Sequence, residues 1–354
     1  MNDDGQFHAV TIVAKNYIAY ARTLCNSFLS HHPNGVFSVL VIDDIEGYID
    51  PAKENFKILS LSSLHIPDLR DFCFKYNIIE LATAVKPYVL KYLLDTHQIN
   101  KILYLDPDIM VMNSLDNLYR TLDTSDIILT PHLDKDYPDD GHWPADHHIM
   151  LSGIFNLGFI GIRRNENTDR FLQWWQHKLY DKCTTDFTTG YFVDQKFVEY
   201  AFVLFPNISV INDTGYNVAY WNLHSRAITY RDNQWMCNDG KLYFYHFSDF
   251  KPERPESIAG RQTRHRLADM PDLGKLFSSY GDLLKANGYY QSKNWPYTYN
   301  KFTTTKEFQY VIMRSFRGYA TQINMKTLFS FKKYPTYFRT ILKQVIAFIK
   351  NWLK

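Results

Sequence analysis

Apolar and polar positions alternate along the chain in two periods. Residues 7 to 14, FHAVTIVA, form a β-branched and aromatic run that predicts a buried first strand. A helical stretch follows from Tyr17 to Ser30 and stops at the Pro33-Asn34-Gly35 turn. Phe37 to Ile42 predicts a second strand, closed by Asp43 and Asp44. Strand, helix, strand is the opening of a parallel sheet with crossover helices, an α/β architecture. Residues 79 to 95 carry a helical apolar period that Pro87 should bend or break. Lys101 to Leu105 predicts a further buried strand, with Asp106-Pro107-Asp108 at its carboxyl end. An apolar run from Ile154 to Ile162 comes next, with helices near Asn167 to Leu179 and Asp194 to Ala201. Ser209 to Ile211 and Leu242 to Phe247 are strand-like, and Gly260 to Asn300 reads as helices with loops. Between these elements, residues 131 to 148 form a polar, Pro- and His-rich loop of the kind that is functional or mobile.

Composition narrows this picture modestly. A chain of 354 residues, 45% hydrophobic and 21% charged, is long enough for a large core and does not read as disordered. Cys25, Cys73, Cys183 and Cys237 are scattered without a CxxC pair, so neither a zinc site nor a disulfide framework is expected. The N-terminus lacks a signal-peptide apolar core and no run of 18 apolar residues occurs, so a cytoplasmic location is expected. Charge changes the picture more. Residues 301 to 354 carry a net +10, while the first 300 carry a net −8. An acidic body with a basic tail argues against a nucleic-acid binder and for a tail with its own partner. Residues 336 to 354 predict an amphipathic helix, with Phe338, Ile341, Leu342, Val345, Ile349 and Trp352 on one face. Arg339, Lys343, Lys350 and Lys354 gather on the other, a design suited to the surface of an anionic membrane, with docking of the apolar face on the protein's own body as the alternative.

The chemistry begins with Asp106 and Asp108. Two carboxylates one residue apart at a strand end suit Mn2+ or Mg2+, which take oxygen ligands and are completed by substrate phosphates. Ligands of open α/β sheets collect at that end. The phrase YLDPDIMV is apolar on both sides, unlike a solvated turn. His142, Asp146, His147 and His148 lack the i, i+4 spacing of a zinc helix and read as part of an acceptor loop. In GYNVAYWNLHSR, the residues Asn217, Trp221, Asn222 and His224 could stack on and bond an acceptor sugar, or form a buried hydrogen-bonded corner.

The phrases NLGFIGI (156 to 162), VDQKFV (193 to 198), GYNVAYWNLHSR (215 to 226) and FYHFSDFKP (244 to 252) stand in order behind the acidic pair. Together they resemble bacterial GT-A-fold glycosyltransferases related to glycosyltransferase family 8, over about residues 7 to 302. The resemblance implies a Rossmann-like nucleotide-binding sheet within residues 1 to 300. Residues 1 to 115 would be the nucleotide-sugar half, 116 to 260 the acceptor half and 261 to 300 a helical extension, with 301 to 354 as the tail. It implies His246 as third metal ligand and Lys251 on the donor diphosphate. Asp249 stands where the family has Gly, and Lys251 is one residue nearer than usual. It further implies Thr11, Ala14 and Asp43 as a nucleotide cradle, Lys86 on phosphate or sugar, and Asn156 beside the donor sugar. Gln195 would lie near the anomeric carbon and Asp194 on sugar hydroxyls. The expected activity is retaining transfer from a nucleotide sugar, a UDP-sugar, to a glycan or lipid-linked acceptor in cell-surface polysaccharide synthesis, at the inner face of the membrane. A catalytically silent nucleotide-sugar or glycan-binding protein is the alternative. A phosphohydrolase or nucleotidyltransferase is disfavoured by the lack of a second carboxylate cluster or a Walker-type loop.

Overall fold

The computed structural model describes residues 6–186 and 189–320. The amphipathic segment 336–354 lies outside the described residues. β1 (His8–Val13), α1 (Ile18–His31), β2 (Val36–Val41) and β3 (Lys57–Ser60) open the chain. Helices α2 (Leu69–Lys75), α3 (Ile78–Ala84) and α4 (Lys86–Thr96) follow. Pro87 sits in the first turn of α4, so the expected bend is a full break at Val85. α3 starts on an Asn77–Glu80 capping box.

β4 (Lys101–Leu105), β5 (Ile109–Val111), α5 (Asp116–Thr121) and β6 (Ile127–Pro131) come next. They are followed by α6 (Asp146–Ser152), β7 (Phe155–Arg163), α7 (Glu166–Lys182), α8 (Gln195–Leu204) and β8 (Ile208–Val210). The main sheet has the order β3-β2-β1-β4-β7-β6-β8. β1 pairs in parallel with both β2 and β4, and β7 runs antiparallel between β4 and β6. Covered on both faces, the central strands are buried almost throughout and mostly apolar, which explains the long apolar runs in the sequence. One core layer lies between the sheet and α3, α4 and α7; another lies under α1.

Three short strands, β9 (Ile228–Arg231), β10 (Gln234–Cys237) and β11 (Gly240–Lys241), form a separate meander. β12 (Phe244–His246) then pairs antiparallel with β5. α9 (Pro271–Ala286) and α10 (Tyr289–Ser292) pack on α1 through a third apolar cluster.

The expected boundary at residue 301 does not coincide with a break in packing. α11 (Thr305–Ala320) lies against α2. The buried Glu307 pairs with Arg70, and Lys306 with Asp71. The buried Arg314 donates to the carbonyls of Phe74 and Tyr76, at 3.2 and 2.6 Å, and to Tyr299 O at 2.7 Å. Three charges of the basic C-terminal region therefore belong to the body. No helix among the described residues is long and apolar enough to cross a membrane.

Candidate active site and metal centre

β4 ends in Asp106, whose backbone N–H donates to Gly158 O of β7 at 2.7 Å. The chain turns through Pro107 and Asp108 into β5. Because β5 pairs with β12 in the register His246↔Ile109, the imidazole is delivered beside the acidic pair. Phe247 N–H closes this ladder on Asp108 O at 2.8 Å. His246 Nε2 stands 3.0 Å from Asp108 Oδ1 and 3.8 Å from Asp106 Oδ2. One ligand atom from each of the three lies within 4.8 Å of the others, the one such metal-competent group among the described residues. The carboxylate side chains keep 29% and 21% exposure while the imidazole keeps 5%, so a cation can reach the oxygens from solvent against a fixed nitrogen. Two carboxylates and one imidazole fit Mn2+ well, and Mg2+ through the oxygens.

The electrostatics agree with an anionic pocket. Burial alone would lower the pKa of His246, but the carboxylates of Asp108 and Asp106 outweigh it and hold the pKa above its ordinary value. Burial would raise that of Asp108, and the neighbouring His246 brings it below. Tyr104, two residues before Asp106 on the same face of β4, donates its hydroxyl to Asp106 Oδ1 at 2.6 Å.

A second polar group stands beside the first. Lys86, at the start of α4, is buried and donates to Leu157 O at 2.6 Å; it also pairs with Asp194 Oδ2 at 2.5 Å. Its ammonium lies 4.3 Å from the centre of the Tyr104 ring, which links the pair to Asp106. Burial leaves the carboxyl of Asp194 above the usual carboxylate range despite Lys86. Val193, just before it, has φ +40°, a left-handed conformation that a β-branched residue rarely adopts. Gln195 is buried at the start of α8 and donates to Ser152 O at 2.6 Å. Lys251 donates to Tyr17 Oη at 2.8 Å, and Asp249 takes φ +65°, the conformation that glycine adopts freely. Asp249 Oδ2 accepts from Gly260 N at 2.8 Å, so its side chain has structural work of its own.

At the carboxyl ends of β1 and β2, Ala14 is buried and Thr11 is fully buried with no partner for its hydroxyl. Asp43 Oδ1 pairs with Lys15 Nζ at 3.4 Å and accepts from Thr298 N at 2.9 Å, while Oδ2 has no partner. Asn16 Oδ1 and the Tyr297 hydroxyl are likewise buried and unpartnered. Buried polar atoms are nearly always satisfied, so such a group suits a polar ligand. Lys15, Asn16, Tyr297 and Thr298 were not evident from sequence, because the 297–298 segment lies more than 250 residues from Asp43.

At GYNVAYWNLHSR the structure places Asn217 and Asn222 in a buried hydrogen-bonded corner beside His246. Asn222 is fully buried, and its side chain holds Ala219 N at 2.9 Å, His132 O at 3.2 Å and Asn217 O at 3.1 Å. Trp221 is 5% exposed and meets His246 edge-on at 5.2 Å. His224 bonds Lys135 O at 2.9 Å in the 131–148 loop. Asn156 is 7% exposed; its Oδ1 accepts from Gly158 N and Asn217 Nδ2, at 3.1 and 2.9 Å. The amides of Asn156, Asn217 and Asn222 are bonded within the protein around His246, whereas Trp221 Nε1 and His224 Nδ1 are buried without a hydrogen-bond partner. The loop itself is tied down by Asp134–Arg226 at 3.1 Å and Asp140–Arg264 at 2.8 Å. Its histidines form no ligand group, whereas His132 at its start joins the buried network.

An α/β sheet that gathers two carboxylates and an imidazole at its central strand end forms a metal-competent group of the kind found in metal-dependent enzymes. The sequence model of Glycosyl transferase family 8 matches residues 8–229, well over half of the chain, and the chain belongs to that family. His246 and Lys251 lie beyond the matched span. YfnF, an uncharacterized protein of Bacillus subtilis strain 168, is 25% identical over 202 residues, 56% of this chain and 63% of YfnF. The match thus spans less than two thirds of YfnF. YfnD of the same organism is 22% identical over 249 residues, 69% of this chain and 78% of YfnD. Among solved structures, the galactosyltransferase LgtC in complex with donor and acceptor sugar analogues is 16% identical, with a TM-score of 0.44, covering 78% of this chain and 95% of LgtC. The glycosyltransferase GlyE of Streptococcus pneumoniae TIGR4 is 14% identical, with a TM-score of 0.42, covering 83% and 66%. At these scores the likeness does not extend to any position of the site.

Proposed function

We propose that the protein is a divalent-metal-dependent glycosyltransferase that moves a sugar from a UDP-sugar to a glycan or lipid-linked acceptor, with retention of anomeric configuration. The observation that carries this reading is the convergence of Asp106, Asp108 and His246 at the end of β4 in a family 8 chain. When bound there, Mn2+ or Mg2+ would neutralise charge developing on the leaving diphosphate. The two aspartates and the imidazole would hold that ion. The unsatisfied oxygens of Thr11, Asn16 and Asp43 would bond the nucleoside, and Lys251, whose charge is felt at Asp108, would add positive charge for the diphosphate.

Gln195 is an amide and cannot act as a strong base. The acceptor hydroxyl would then attack on the face that the diphosphate leaves, with a phosphate oxygen taking its proton. Asp194, paired with buried Lys86, is poorly placed as a nucleophile and better suited to fixing the Gln195 turn. We place this enzyme at the cytoplasmic face of the cell membrane, held by the basic helix of residues 336 to 354, in cell-surface polysaccharide synthesis.

The test is a panel of nucleotide sugars screened for Mn2+-dependent binding and hydrolysis. D106A and D108A should each abolish metal-dependent turnover while UDP binding weakens. Turnover undiminished in both variants would end the proposal.

A further inference from the structure

The metal ligand His246 sits at the end of a directed chain of side-chain hydrogen bonds. Its Nδ1 lies 3.2 Å from Asn217 Oδ1. The amide nitrogen of Asn217 donates to Asn156 Oδ1 at 2.9 Å and Thr130 Oγ1 at 2.8 Å. Asn156 Oδ1 also accepts from Gly158 N at 3.1 Å, and its own amide nitrogen donates to His132 Nε2 at 3.1 Å. Each amide therefore has one orientation that satisfies its neighbours, and the order runs His246, Asn217, Asn156, His132. At its head only a carbonyl oxygen can face His246, so Nδ1 must carry the proton. Nε2, which faces Asp108 and Asp106, is then the nitrogen left to bind a cation.

The backbone reinforces this aim. Asn217 has φ +52°, a conformation that Asn tolerates better than most residues, and is fully buried. His246 N donates to the adjacent Val218 O at 2.7 Å, so ring and amide are held on neighbouring strands of chain. The ring packs closely over Gly158, where an added Cβ would meet His246 Cε1 at 2.4 Å and Nδ1 at 2.7 Å.

We propose that Asn217 is the positioning residue of the metal centre: its side-chain carbonyl fixes the His246 ring through Nδ1, and Asn156 and Thr130 fix Asn217 in turn. The proposal rests on the metal-site reading above. Asn217 is not a ligand; it acts through His246. Outer partners of ligating histidines typically contribute about 10–100-fold to metal affinity.

The measurement is the affinity of the full-length protein for Mn2+, by electron paramagnetic resonance of the free ion, and for Mg2+ by competition, without nucleotide. An imidazole favours Mn2+ over Mg2+, so a ring that loses its aim should lower the Mn2+ affinity about 10-fold or more while Mg2+ changes much less. N217A should show that fall, and N217S serves the same purpose if N217A is not recovered folded. N217D keeps an oxygen for Nδ1 and should retain the wild-type Mn2+ to Mg2+ ratio to within about 3-fold. A folded N217A or N217S with the wild-type ratio would overturn the proposal, as would N217D losing as much as N217A. If the wild-type protein bound Mn2+ no better than D106A does, the metal-site reading itself would fall, which is a different result from an unchanged ratio.

Discussion

Gly158 illustrates how much at this site depends on single atoms. It lies in β7 with the imidazole of His246 directly over its Cα, and an added Cβ would fall 2.7 Å from both His246 Nδ1 and Asn156 Oδ1. None of those neighbours is the free end of a flexible chain, so the ring must move. G158A should cost about 1–3 kcal/mol in urea unfolding and weaken Mn2+ binding in the same protein. Wild-type affinity in that variant would mean that the ring has more freedom than its contacts indicate. His132 supplies a pH signature. Burial pushes its pKa down to about 4, and it accepts a hydrogen bond from Asn156 as a neutral ring. In the unfolded chain its pKa returns to about 6.5, so between these values the unfolded state binds more protons. Stability should therefore be complete above about pH 6.5 and fall as pH drops toward 4, by about 3 kcal/mol from this residue. H132Q should flatten that slope in denaturation curves taken across the range. A residual slope will remain from His31, His32, His148 and His265, which burial also holds below their ordinary value.

Elements were legible in the sequence where their apolar period was long, and the site was legible where one element carried it. The first strand, α1, β4, β7 and α7 fall within a residue or a few of their expected spans. β12 falls inside the strand expected over residues 242 to 247, but β5 was harder, because three residues give no usable period, and the pairing of the two is what places His246 beside Asp108. The buried network was invisible for another reason. His132, Asn156, Asn217 and His246 are spread over more than 110 positions, and although the last three were singled out for separate roles, nothing in the sequence joins them into one network. The C-terminal helix α11 shows the same limit in reverse, since its charge suggested a tail while its contacts make it part of the body. Arg314 is 6% exposed and its guanidinium satisfies backbone carbonyls at the end of α2 and in the 299–300 turn. R314A would remove four charge-assisted hydrogen bonds and a buried side chain, so a loss of about 2–4 kcal/mol in chemical unfolding is expected. A loss below 0.5 kcal/mol, roughly the level of a surface substitution, would show that α11 docks only loosely on α2.

At the scale of the whole molecule, charge is divided along the chain. Residues 321 to 354 hold six Lys, one Arg and no acid, for a net +7, and the rest of the chain is net negative. The basic residues up to Arg314 described above are engaged with α2 and its neighbours, and a chain cut after residue 320 retains all of those contacts. Such a truncation should leave the urea midpoint of the protein nearly unchanged. It should also leave the Mn2+ affinity unchanged, because all three ligands lie in the body. Membrane attachment should behave differently. With polybasic attraction near ~1 kcal/mol per cation at an anionic surface, even a few engaged lysines would give strong binding at low salt. That binding should weaken steeply between low and physiological ionic strength, as the Debye length shortens from about 30 Å to about 8 Å. In flotation with phosphatidylserine-containing vesicles, the full chain should float and the truncated chain should remain in the dense fraction. Zwitterionic vesicles separate charge from apolar insertion: binding there would assign the attachment to the Phe338–Trp352 face, and its absence would assign it to the cations. A truncated chain that floats as well as the full one would remove residues 321 to 354 from the membrane and direct attention to the body.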